Sequence, residues 1–446
     1  MPRILKYIFY FFSGFTLLMA GFSVYLIWFQ PDFYFPKPTG QYSVGRKTYH
    51  WIDTKRKEIF SEGSQHPHRE LMVNIWYPSS PCGLRRTGPF QPSLSAMADT
   101  ASLQNKPTLY APYLMDHIKR TQKLVWLLAP RIYSWAQPDG PIISEKLQFP
   151  VIIFSHGFGG IKDSNTAHCE ELASHGYVVV GVSHTYNSHV VQFPDGRIAD
   201  MGEYHKLRES KRFIERRKLS DKIETEVWVA DIQFVLDKVE QLNKNKESIF
   251  HGNLNTNNVG VFGQSFGGST AAQVCRRDRR VKAGVNLDGS LFGKDVTQSF
   301  DKPFMSMLAE NSVKLVEQPF SKDDYKHFRV TSPQEKEMVR SRYLRACRQL
   351  AEAIGHDAYT FVLKKAGHID FTDSALFKEA SIISKILLTL VSTGDFGTGS
   401  LDGFRATEIV RAYLVNFFNK YLKGQASELL DGENMIYPEV LSHKLV

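Results

Sequence analysis

From Pro150 onward, short apolar runs alternate with stretches of helical spacing, and that alternation leaves few architectures open to the chain. The runs are Val151–Ser155, Tyr177–His184, Val259–Phe262, Val281–Leu287, Pro303–Leu308 and Ala358–Leu363. Each is short, bounded by turn residues and apolar nearly throughout, as strands buried on both faces must be. Between them, Ile161–His175, Asp221–Asn243, Ser374–Ser392 and Ala406–Lys423 carry helical periodicity. Strands that alternate with helices predict a mostly parallel central sheet with helices on both faces. Upstream, Leu71–Pro78 alternates, is aromatic and β-branched, and ends at proline, so a further strand is expected there.

The first thirty residues have a different character. Arg3 and Lys6 precede an uncharged apolar run from Tyr7 to Phe29. At about 1.5 Å per helical residue that run is long enough to cross a hydrocarbon core of about 30 Å. A cleavable signal peptide usually has a shorter apolar core, of about 7 to 15 residues. The reading is therefore a signal anchor over residues 1–30, with a cleaved signal peptide and secretion as the alternative. The cations before the run keep the N-terminus cytoplasmic and put the rest of the chain on the exported side. Residues 31–425 form the expected domain, and 426–446 a peripheral tail. With 42% hydrophobic residues the chain can build a sizeable core. Its net charge of +9 favours anionic surfaces. No nucleic-acid motif accompanies the basic stretch Lys206–Leu219, so no nucleic-acid partner is expected. Leu114–Trp135 combines helical spacing with tryptophans beside cations, and reads as a packed helical pair or an interfacial helix on lipid. Cys82, Cys169, Cys275 and Cys347 are scattered without a C-x-x-C pair, which argues against a metal site and favours core thiols, with one or two disulfides open if the domain is exported.

Gly263-Gln264-Ser265-Phe266-Gly267 matches G-x-S-x-G and stands between a strand and the helix-forming stretch Ser269–Arg277. That context suits a nucleophile elbow, in which a tight turn presents the serine. A serine hydroxyl needs a base at neutral pH. His368 follows the strand Ala358–Leu363 on a glycine-containing loop, where it can reach back over the sheet to Ser265. Two acids compete to orient it. Asp288 ends the strand Val281–Leu287 and is preferred, while Glu310 follows the strand Pro303–Leu308. An oxyanion hole needs two backbone donors. Phe266, after the serine, supplies one, and Phe158 in Ser155-His-Gly-Phe-Gly-Gly160 supplies the other. His156 reads as structural, and Gln264 as a residue that does not touch the chemistry.

The series FSHGFGG, ELASHGYVVVGVSH, VGVFGQSFGG, GVNLDGSLF and KAGHIDF resembles the platelet-activating-factor acetylhydrolase family, plasma and type II, of the α/β-hydrolase superfamily. The resemblance runs from about Leu71 to Leu422. It implies Ser265 as nucleophile, Asp288 as acid, His368 as base, and Phe158 and Phe266 as oxyanion donors. It further implies hydrolysis of short or oxidised sn-2 acyl groups from phospholipids through an acyl-enzyme, with no metal or organic cofactor. The family's lipid-facing helices make Leu114–Trp135 an interfacial candidate. Gln264 departs from the family, which usually has histidine there. Two other functions are open: a broad carboxylesterase or polyester hydrolase, and an inactive, membrane-tethered binding protein of this fold.

Overall fold

The computed structural model describes residues 32–60, 66–80, 131–143, 148–202, 213–290, 302–317, 358–380, 397–432 and 436–442, with isolated positions between 10 and 21, at 204 and between 332 and 341. Residues 114–130, the first half of the basic stretch Lys206–Leu219, and Cys82 and Cys347 lie outside them, as does the expected helix beyond Ala380.

The chain enters through β1 (Asp32–Tyr34), the long β2 (Ser43–Lys57) and β3 (His68–Ser79). Two short pieces follow, β4 (Arg131–Tyr133) and β5 (Gln137–Pro138), and then the alternation begins. β6 (Phe149–Ser155) leads through a turn to α1 (Thr166–Ser174), which is shorter than the expected Ile161–His175. β7 (Val178–Ser183) is followed by a hairpin of β8 (Val190–Gln192) and β9 (Ile198–Asp200). The expected helix Asp221–Asn243 is α2 (Phe213–Lys222), a π-helical turn at Ile223–Trp228, and α3 (Val229–Lys244). β10 (Leu254–Gln264), α4 (Phe266–Arg277), β11 (Val281–Leu287), β12 (Phe304–Ala309) and α5 (Glu310–Glu317) come next. After β13 (Ala358–Leu363) come a 3-10 turn at His368–Phe371, α6 (Ser374–Ala380), α7 (Gly403–Lys423), α8 (Glu428–Asp431) and β14 (Val440–Ser442).

Ten of these strands form one sheet in the order β14-β13-β12-β11-β10-β6-β7-β3-β2-β5. The six from β13 to β7 are parallel, as their apolar sequences require. β3 joins antiparallel, and β14, from the segment expected to be a peripheral tail, adds an antiparallel edge to β13. Two buried clusters sandwich the sheet. On one face α1 and α7 pack Leu172, Tyr413 and Phe418 against Phe154, Phe262 and Val285. On the other, α3 and α4 pack Ile232, Val235 and Val274 against Val151, Val180 and Val261. Cys169 and Cys275 are free buried thiols within these layers, in agreement with the core-thiol reading.

No helix among the described residues is long and apolar enough to cross a membrane, so the expected transmembrane helix is not seen in the fold. Most of the Tyr7–Phe29 run lies outside those residues.

Candidate active site

A parallel sheet collects the carboxyl ends of its strands along one edge, where the following loops converge. Ser265 stands at that edge between β10 and α4, in a left-handed conformation at φ 55° and ψ −121°. The strain is tolerated because glycines let the backbone close up around it. A Cβ on Gly267 would approach the Ser155 carbonyl oxygen to 2.1 Å, and one on Gly263 would approach the Gly267 carbonyl group to 2.2 Å. The elbow thus rests directly on the start of the loop after β6.

His368 opens the 3-10 turn after β13, and its Nε2 lies 2.9 Å from Ser265 Oγ. Its Nδ1 lies 2.7 Å from Asp288 Oδ2. With Nδ1–H donating to the carboxylate, Nε2 is the acceptor for the serine hydroxyl. Asp288 directly follows β11, also at positive φ, 54°, and its carboxylate is fully buried. Ala309 N–H donates to its Oδ1 at 2.8 Å and the Ser312 hydroxyl to its Oδ2 at 2.7 Å. Those donors satisfy the buried carboxylate and hold it in place. Glu310, the competing acid, points elsewhere. It accepts the Lys365 backbone N–H at 2.6 Å and pairs with Lys314 at 3.2 Å, and that backbone bond, with Lys314, lowers its pKa.

Asp370 anchors the histidine loop. Its buried carboxylate accepts N–H groups of Gly367 and Gly399 at 2.9 and 2.6 Å and pairs with Lys378 at 3.1 Å. Gln264 does touch the chemistry, contrary to the expectation from sequence. Its Nε2 lies 3.3 Å from both the His368 Nε2 and the His368 carbonyl oxygen. Gln264 is the last residue of β10, and its side chain reaches the histidine loop directly. Sequence reasoning missed Asp370 and Ser312 as well. Asp370 had one visible signal, its place two residues after the candidate base.

In the loop after β6, Gly159 N–H donates to Asn187 O at 2.9 Å and Gly160 N–H to Gly157 O at 2.8 Å. Phe158 lies between Gly157 and Gly159, and its N–H has no partner among the described residues. Its ring packs edge-on against Phe266 at 5.4 Å, so both candidate oxyanion residues share one aromatic wall with Trp228. No group of three or more His, Cys, Asp or Glu side chains suited to a metal occurs among the described residues. The arrangement can take a proton from Ser265 and stabilise the resulting imidazolium.

A family model described as platelet-activating factor acetylhydrolase, isoform II, matches residues 114–434. A probable 1-alkyl-2-acetylglycerophosphocholine esterase of Arthroderma benhamiae is 24% identical over 92% of this chain and 94% of its own. A platelet-activating factor acetylhydrolase of Cavia porcellus is 29% identical over 42% of this chain, and the match spans 46% of that relative. Among solved structures, a ferulic acid esterase from Streptomyces cinnamoneus superposes with a TM-score of 0.63 at 26% identity, covering 93% of this chain and 100% of that one. The fold is thus a mostly parallel α/β-hydrolase-like sheet, and the chain belongs to the platelet-activating factor acetylhydrolase, isoform II, family of ester hydrolases.

Proposed function

We propose that the protein is a serine esterase that removes short or oxidised sn-2 acyl groups from phospholipids. What supports this reading above all is the hydrogen-bonded line from Ser265 through His368 to the buried Asp288. Ser265 Oγ attacks the ester carbonyl as its proton passes to His368 Nε2, and Asp288 stabilises the imidazolium. The Phe158 and Phe266 N–H groups receive the oxyanion, on which charge develops only in the transition state. Collapse expels the lysophospholipid alcohol, which takes the proton from His368. Water activated by the same histidine then releases the acid and restores Ser265. The named substrates of the relatives support the phospholipid class. The ferulic acid esterase neighbour favours a second reading, a broader carboxylesterase acting on soluble esters.

In this reading the Tyr7–Phe29 run anchors the chain with its catalytic domain on the exported side. Among the described side chains of that run, Tyr10, Phe15, Leu17 and Met19 are exposed apolar groups, which supports a lipid environment.

The test is hydrolysis of a ladder of phospholipids with increasing sn-2 chain length, with Ser265→Ala as control. Short and oxidised chains are expected to turn over fastest, and Ser265→Ala to lose at least about a thousandfold in kcat together with labelling by an organophosphonate. Equal or faster turnover of soluble feruloyl or nitrophenyl esters would favour the second reading. Turnover that survives in Ser265→Ala would refute both.

A further inference from the structure

A second serine, histidine and aspartate occur in the same bonding order behind the oxyanion loop. Ser155 Oγ lies 3.0 Å from His184 Nε2, and His184 Nδ1 lies 2.9 Å from Asp231 Oδ2. Ser155, His184 and Asp231 are all fully buried, so no ester reaches this serine. The line is closed at its far end, where Arg69 grips Asp231 through two bonds of 3.1 and 2.7 Å. At its near end it meets the elbow, because the Ser155 carbonyl is the group that abuts Gly267.

His156 extends the same device into the loop. Its Nδ1 lies 2.7 Å from the Gly157 carbonyl oxygen and so carries the proton. Its Nε2 accepts the Ser188 hydroxyl at 2.8 Å and the His184 N–H at 3.2 Å. That pattern requires a neutral ring, and burial pushes the His156 pKa down to about 3. His184 is lowered too, chiefly by burial. Trp228 stacks on His184 at 3.8 Å and donates its Nε1–H to the Asn187 side-chain oxygen at 2.9 Å. The Asn187 carbonyl in turn holds Gly159 N–H. The backbone groups on both sides of Phe158, the Gly157 carbonyl and the Gly159 N–H, are therefore tied to the buried chain. The N–H between them is left for the substrate.

We propose that the buried Ser155–His184–Asp231 chain, extended through His156 and Ser188, is a positioning device that aims the Phe158 N–H at the oxyanion. None of its side chains touches substrate. They act through the loop, and their effect is confined to the transition state. The proposal rests on the esterase reading of Ser265, and the experiment separates the two.

Ser155→Ala and Ser188→Ala each delete one buried hydroxyl and leave the catalytic residues in place. Active sites are titrated with an organophosphonate, so that kcat is expressed per competent site in whatever fraction folds. The expected result is a fall in kcat of about tenfold to a hundredfold with KM within about twofold, because a misaimed oxyanion donor loses only transition-state binding. Affinity for an alkyl boronic acid, whose tetrahedral adduct on Ser265 imitates the oxyanion, should fall by the same factor. Unchanged kcat per titrated site with unchanged boronate affinity overturns the proposal, as does a loss seen only in KM or only in the titratable fraction. Labelling at Ser155 in Ser265→Ala would make the buried serine a nucleophile and overturn it as well. A parent enzyme with neither turnover nor labelling would instead refute the esterase reading.

Discussion

The Gln264 amide sits between the histidine loop and the loop after β6. It is in hydrogen-bond reach of the His368 ring and of the His368 carbonyl, while its Oε1 stands 2.3 Å from where a Cβ on Gly157 would be. It therefore couples the histidine loop to the oxyanion loop. Gln264→Ala should lower kcat/KM about threefold to tenfold, the worth of one or two modest hydrogen bonds, with Ser265 still titratable. Steady-state kinetics per titrated site checks this, and an unchanged kcat/KM would remove Gln264 from the site. Ser265, Asp288 and His368 were legible in the sequence because each follows a strand at a short, fixed offset. The contact of Gln264 was not, since it is made across a fold that brings residues 264 and 368 together, and no local pattern records it. That offset does not choose between Asp288 and Glu310, since each directly follows its strand, and the two carboxylates differ in what holds them. Asp288 has buried donors that aim it at His368, whereas Glu310 is taken by Lys365 and Lys314.

At the scale of elements, the elbow works because α4 closes on the end of β6 backbone to backbone at Gly267. Gly267→Ala would place a methyl 2.1 Å from the Ser155 carbonyl oxygen and 2.4 Å from that of His156, and neither is the free end of a side chain. The variant should lose about a hundredfold or more in kcat by displacing Ser265 from the oxyanion donors. It should also lose about 1–3 kcal/mol of stability from overpacking, read by urea unfolding. Parent-like kinetics would mean that the contact can relax. The inner strands could be recognised from sequence because parallel pairing buries both faces and demands apolar runs. The π-helical turn at Ile223–Trp228 could not. It inserts a shift of phase into an otherwise periodic helix, and that shift leaves no compositional mark. The turn also ends at Trp228, the ring that covers the buried His184.

For the whole molecule, buried neutral histidines tie stability to pH. Burial lowers His156 and His168 from 6.5 to about 3. The unfolded chain therefore binds more protons than the folded one between those values, and stability must fall as pH drops from about 6.5 toward 3. His168→Leu should flatten that fall, because its ring is fully buried and its Nε2 has no partner among the described residues. Denaturant midpoints at pH 7 and pH 5 measure it, and an equal drop in parent and variant would exclude His168 as a contributor. Asp373, whose burial raises its pKa well above 3.8, acts in the opposite sense, so the comparison with the variant is more telling than the slope alone. The class of fold was legible at this scale. The order of its strands was not, because which strand neighbours which is decided by crossovers that composition does not encode. The pairing of β1 with β4 joins segments that nothing in their own sequences marks as partners. Finally, Ser265 and Asp288 are held at positive φ at the ends of adjacent strands, each at a cost of about 1–3 kcal/mol that packing elsewhere must offset. The two layers of core are in this sense a vice, and the site is what they grip. Loosen that grip, and the strain held at these two residues is what would be released.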